Sequence, residues 1–194
     1  MFADQMSSCI SQQWSPVIGD PSVLGWVTVA GYGVSAILCF AAWRRTTDGA
    51  VRLFWLVLSI FLVCLMINKQ LDLQSAFTAA ARCLSQFQGW YEKRRIVQVS
   101  FILAIMMSGT MVTAIAFWTL RQHLRQIGLA LIGFAFLICF VLIRAAGFHN
   151  FDAFLNTEIQ SVRLNWVLEL TSIALIAANA VAALRRRDHR RGTV

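Results

Sequence analysis

Hydrophobic residues in this chain gather into five long runs separated by short polar interruptions. The runs cover roughly Val23 to Trp43, Leu53 to Leu71, Ile96 to Leu120, Ile127 to Gly147 and Leu164 to Leu184. Each is close to the ~20 residues that a helix needs to cross a ~30 Å hydrocarbon layer. The second run is unusual, because its uninterrupted apolar part, Leu53 to Ile67, would span only about 22 Å at ~1.5 Å per residue. Asn68 to Leu71 must finish that crossing, which puts Asn68 and Lys69 in the interface and Asp72 at its edge. Between the second and third runs, Leu73, Phe77, Ala80, Leu84 and Phe87 recur at steps of four and three. That period predicts an amphipathic helix lying flat on the membrane surface, ended by Gly89 and followed by Trp90 and Tyr91 as an aromatic anchor.

The predicted architecture is therefore all-α. It is a polytopic transmembrane helical bundle forming one integral membrane domain over residues 1–194, with about five spans and an interfacial helix and loop at 72–95. Residues 1–22 form a terminal segment and 185–194 a basic tail. Composition agrees: 58% hydrophobic residues, 13% charged residues and a mean hydropathy of +0.65 exceed what a soluble domain of this size uses for its core.

Charge sets an expected orientation. Arg44, Arg45, Arg52, Arg121, Arg125, Arg185, Arg186, Arg187, Arg190 and Arg191 flank the same ends of the runs, and by the positive-inside rule that side is cytoplasmic. The opposite side carries Lys69, Arg82, Lys93, Arg94, Arg95 and Arg163. The N-terminus is then extracytoplasmic and the C-terminus cytoplasmic. Residues 1–22 lack the basic and apolar regions of a signal peptide, so the first run is expected to act as the insertion signal. The net charge of +8 does not call for nucleic acid, because topology and anionic headgroups account for the arginine block that follows the last run.

The five cysteines show no metal-binding spacing. Cys39, Cys64 and Cys139 read as small apolar residues within runs, whereas Cys9 and Cys83 share the oxidising side, where a disulfide can form. Gly25, Gly31 and Gly33 in the first run, and Ser108, Gly109, Thr110 and Thr113 in the third, read as small residues that admit close helix packing.

Candidate chemistry collects at the extracytoplasmic edge. Asp72, His149, Asp152 and Glu169 are the candidate acid/base groups, and Asn68, Lys69, Arg94, Arg95, Arg144 and Asn165 the candidate substrate-binding groups. Asn68 and Asp72, like Asn165 and Glu169, are four residues apart and share a helix face, while His149 and Asp152 are three apart. Polar groups at membrane depth are costly and commonly mark a site. One imidazole with carboxylates can hold a divalent metal and activate its water, so His149, Asp72, Asp152 and Glu169 would be the ligands if a metal binds. Structural roles stand beside these: an Arg144–Glu169 ion pair, Arg144 snorkelling, Asp152 as a helix cap and His149 as an interface residue. Lys93, Arg94 and Arg95 equally suit a stop against lipid phosphates.

The segments INKQLDLQ (67–74), GWYEKRR (89–95), RAAGFHNFD (144–152) and NWVLEL (165–170) resemble those of a small bacterial inner-membrane family without an assigned activity. Its members are sometimes labelled isopropylmalate isomerase, a soluble iron–sulfur enzyme whose cluster this chain has no cysteine triad to hold. A looser similarity is to membrane hydrolases of the alkaline ceramidase type, whose paired HxxxH histidines are missing here. The resemblance implies location more than chemistry. Two functions stay open: an enzyme acting on a lipid or lipid-linked substrate, and a non-catalytic accessory subunit or assembly factor of a membrane protein complex. A transporter fits less well, since the runs lack midplane breaks.

Overall fold

The structure is a computed structural model that describes residues 2–14, 20–71, 79–80, 83–84, 86–87, 94–146, 158–159 and 162–191. Six helices account for nearly all of these: α1 (Phe2–Gln13), α2 (Val23–Arg45), α3 (Gly49–Leu71), α4 (Arg94–Leu120), α5 (Leu124–Ala146) and α6 (Leu164–Arg191). A 3-10 turn, Arg121–His123, joins α4 to α5, and a two-residue ladder pairs β1 (Glu158–Ile159) with β2 (Val162–Arg163) just before α6.

Helix starts follow from local polar chemistry. Ser22 caps α2, its Oγ accepting from the Gly25 N–H at 3.0 Å and donating to Asp20 Oδ1 at 2.6 Å. Asp48 does the same for α3, accepting from the Val51 N–H at 3.0 Å. Such caps satisfy amides that the first helical turn leaves open. Because of the Asp48 cap, α3 begins at Gly49, four residues before its apolar run, and it continues through Asn68 to Leu71 as the short run requires. At the other end of the chain, the arginine block is not a loose tail but the continuation of α6 to Arg191.

Four helices make the core. α2 packs against α3 and α6, and α6 packs against α5. Phe54 and Phe61 of α3 close the ring by meeting Phe134 of α5 edge-on, with centroids 6.3 and 5.6 Å apart. Tyr32, Trp55, Leu62, Ile127, Leu137 and Ile176 fill the interior. α4 lies outside this core against α5, and Met107, Met111, Phe117 and Trp118 are exposed on it. An exterior as apolar as the interior suits lipid as solvent, in which helix association depends on close packing and interhelical hydrogen bonds.

The tightest packing is between α5 and α6. A Cβ on Gly133 would stand 2.8 Å from the Ser172 carbonyl oxygen and 2.9 Å from Ile176 Cγ1, so only glycine admits this approach. Nearby, Asn179 Oδ1 accepts from the Ala130 N–H at 2.9 Å and Asn179 Nδ2 donates to the Gln126 carbonyl at 2.8 Å. Those two backbone groups are the pair that an α-helix joins four residues apart. The amide of Asn179 therefore spans one rung of α5. Ser59 Oγ adds an α3-to-α2 bond to the Ala36 carbonyl at 2.9 Å.

Of the small residues expected to pack helices, Gly109 does so, since a Cβ on it would meet the Leu142 side chain at 2.8 Å, while others behave differently. Gly31 and Gly33 have ordinary room, 3.5 Å to Ile173 and 3.4 Å to Met66 Sδ. Ser108, Thr110 and Thr113 donate to carbonyls of their own helix, and Ser108 and Thr110 are exposed. Cys39 is buried, while Cys64 and Cys139 are exposed.

Four stretches of helix among the described residues are long and apolar enough to cross a membrane: Val23–Arg45, Gly49–Leu71, Leu103–Leu142 and Val167–Arg186. The third contains the 3-10 turn, and its two arms fold back on each other, since Gly109 of α4 faces the Leu142 side chain of α5. Arg45, Arg52, Arg121, Arg125 and Arg186 thus share one end of the bundle. Two contacts tie that end together, His123 Nε2 to Asp48 Oδ2 at 3.7 Å and Arg186 Nη1 to the Arg125 carbonyl at 3.3 Å. Cys9 and Cys83 form a disulfide joining α1 to the segment between α3 and α4, with Cα atoms 6.1 Å apart. The helical backbone at 79–80, 83–84 and 86–87 lies where the amphipathic helix is expected, and the rest of that segment is outside the described residues.

Candidate functional site

At the end of the bundle opposite the arginines, three helices contribute one polar group each. Lys69 comes from the last turn of α3, Glu169 from the second turn of α6 and Tyr32 from the middle of α2. Lys69 Nζ lies 2.9 Å from Glu169 Oε2, and the Tyr32 hydroxyl donates to Glu169 Oε1 at 2.8 Å. Glu169 is 2% exposed and the Lys69 side chain 9%. Both carboxylate oxygens are therefore engaged, one by an ammonium and one by a phenol, and the cluster as a whole carries no net charge. Compensation of this kind is what allows a carboxylate and an ammonium to be withdrawn from water.

The surroundings are polar for a helix bundle. Thr28, one turn from Tyr32, and Ser172, three residues beyond Glu169, are buried and satisfy their hydroxyls on the Leu24 and Leu168 carbonyls of their own helices. Asn68 is half-buried beside Lys69. Among the described residues, Gln70 Oε1 is buried without a hydrogen-bond partner, the kind of acceptor that a water or ligand donor usually completes.

Of the residues singled out in the sequence, the structure brings Lys69 and Glu169 into contact, and Asn68 precedes Lys69 in the last turns of α3. Asp72, His149 and Asp152 lie outside the described residues. The backbones of Arg94 and Arg95 open α4, Arg144 stands in the last turn of α5 and Asn165 in the first turn of α6, all at this same end, with their side chains outside the description. The partners shown for Glu169 are Lys69 and Tyr32; the Arg144 side chain, expected as an ion-pair partner, lies outside the described residues. Among the described residues no three His, Cys, Asp or Glu side chains gather as metal ligands.

Sequence reasoning passed over Tyr32, Gln70 and Asn179. Tyr32 reads as a neutral member of an apolar run, and Gln70 as part of an interfacial polar patch. The signal for Asn179 was present, since it is a lone amide in the run Ile173 to Leu184.

No family model, curated protein or solved structure matches the chain. Its class therefore rests on the fold and site, which define an all-helical protein with membrane-crossing helices and a buried ion pair near one end of its bundle.

Proposed function

We propose that this chain is a multi-pass protein of the cell inner membrane that acts at its extracytoplasmic edge on a lipid or lipid-linked substrate. The single observation that carries the reading is the buried Lys69–Glu169–Tyr32 network. Charged groups at membrane depth are retained at a cost, which function most often explains. Asp72, His149 and Asp152, in the segments that leave the bundle at this end, supply acid/base chemistry or metal ligands. Lys69 and Glu169 fix the helix ends from which those segments depart. Asn68, Asn165, Arg94, Arg95 and Arg144 hold the headgroup.

Five crossings are proposed, with the N-terminus extracytoplasmic and the C-terminus cytoplasmic. The fold-back of α4 on α5 supports the count. The common arginine end and the Cys9–Cys83 disulfide, which needs an oxidising compartment, support the orientation. The amphipathic segment at 72–95 is proposed to lie in the outer interface.

A second reading, the accessory subunit or assembly factor, is favoured by the full engagement of Glu169. A carboxylate already shared by an ammonium and a phenol is a poor general base. Asp72→Asn and His149→Gln separate the two readings. Both substitutions keep volume and hydrogen-bonding capacity but remove a carboxylate charge or an imidazole. We expect both variants to insert at near wild-type level and fail to complement a deletion strain. Full complementation by both would overturn the enzyme reading in favour of the accessory one.

A further inference from the structure

At the arginine end, two guanidinium groups converge on one indole. The Arg44 Cζ lies 6.0 Å and the Arg52 Cζ 5.4 Å from the centroid of Trp43. Arg44 closes α2 and Arg52 lies in the first turn of α3, so the hairpin itself sets the pair. Among residues whose side chains are described, the carboxylate at this end is that of Asp48, which caps α3 and faces His123. Neither Arg44 nor Arg52 has it as a partner. Both guanidinium groups lie within cation–π reach of the ring, and their shared positive field attracts an anion placed beside them.

The apolar surface next to the pair indicates what carries that anion. Ile37, Phe40 and Arg44 follow one another at steps of three and four and lie on one face of α2. Ile37 is 69% and Phe40 46% exposed, Phe40 stacks on Trp43 with centroids 5.0 Å apart, and Leu53 beside Arg52 is 60% exposed. A planar guanidinium pairs with phosphate through two parallel hydrogen bonds, and tryptophan is favoured at headgroup depth. We propose that Arg44, Arg52 and Trp43 form a binding site for an anionic glycerophospholipid, its phosphodiester held by the two arginines and its acyl chains lying along Phe40, Ile37 and Leu53. This site is separate from the polar cluster at the opposite end and does not depend on the function proposed there.

The experiment uses the full chain in phosphatidylcholine nanodiscs containing a minor fraction of phosphatidylglycerol, released into the gas phase for native mass spectrometry. The wild type should retain phosphatidylglycerol in preference to phosphatidylcholine. Arg44→Gln with Arg52→Gln should lower that retention by about tenfold or more, given ~1 kcal/mol for each basic residue near an anionic surface. Arg185→Gln with Arg186→Gln removes the same charge from the same end and should leave most of the retention in place. Equal losses in the two double variants, unchanged retention in the first, or no preference over phosphatidylcholine would each overturn the site. If the glutamine variant fails to insert, Arg44→Lys with Arg52→Lys keeps the topogenic charge but loses the planar fork. Partial loss of lipid in that variant supports the site, and full retention overturns it.

Discussion

Glu169 is the residue on which most of this structure's polar energetics turn. Its carboxylate is buried between α2, α3 and α6, and its charge is tolerable there because Lys69 and Tyr32 occupy its two oxygens. A buried ion pair adds little net stability, but removing one member strands the other, at roughly 3 to 5 kcal/mol when fully buried. Lys69→Met and Glu169→Gln should each lower thermal stability in detergent by a large part of that amount, whereas the double variant should lose clearly less than the sum. Additive losses would show that the two side chains act independently. Tyr32→Phe deletes one hydrogen bond to a charged acceptor, and a smaller drop, on the order of 1.5 to 3 kcal/mol, is expected in the same assay. That Lys69 and Glu169 matter was legible in the sequence, because charge beside an apolar run is conspicuous. Which cation Glu169 would take was not. Several cations lie close to it in depth, and its contact with Lys69 depends on the lateral arrangement of helices, which hydropathy does not encode.

Among the elements, α5 and α6 carry the most specific interface. Gly133 lets the two backbones approach and Asn179 bridges a rung of α5. Gly133→Ala puts a Cβ against the Ser172 carbonyl, which cannot yield as the end of a flexible side chain would. Overpacking of this kind costs about 1 to 3 kcal/mol, and the variant should unfold at a lower temperature than the wild type in the same detergent. Wild-type stability would mean that the helices are free to separate there. The helix positions themselves were readable from hydropathy, with Asp48 shifting the start of α3 and the arginines extending α6. Among the small residues chosen from the first and third runs, Gly109 marks a close approach but Gly31, Gly33 and the hydroxyls do not, because a small residue signals close packing only when a neighbour faces it. The hydroxyls of α4 bond their own helix, whereas Gly109 faces the Leu142 side chain and Gly133 meets a carbonyl.

For the whole molecule, the proposed membrane arrangement rests on charge distribution and on the fold-back of α4 on α5. Reporter fusions after Arg45, Ser85, Arg121, Phe154 and Val194 should alternate between cytoplasmic and extracytoplasmic signals, beginning and ending cytoplasmic. A cytoplasmic signal at Ser85 would defeat both the five-span arrangement and the oxidising location of Cys83. At this scale the sequence pointed to the ends of the runs opposite the arginines, and Lys69 and Glu169 meet toward that end of the bundle. The part that can be described is a neutral bolt rather than an exposed pair of carboxylates, since burial forces charge to be matched before it can be used.

The Cys9–Cys83 bond has a consequence of its own. It closes a covalent ring over a sequence separation of 74 residues, and that ring contains the whole of α2 and α3. While the bond holds, the first hairpin cannot be drawn back out of the bilayer one helix at a time, because its leading segment is tethered to the chain that follows it. The ring can close only after both helices are threaded and Cys83 has reached the same compartment as Cys9. In the proposed orientation, oxidation therefore ties the chain on both sides of the first hairpin together and locks α2 and α3 inside one covalent loop.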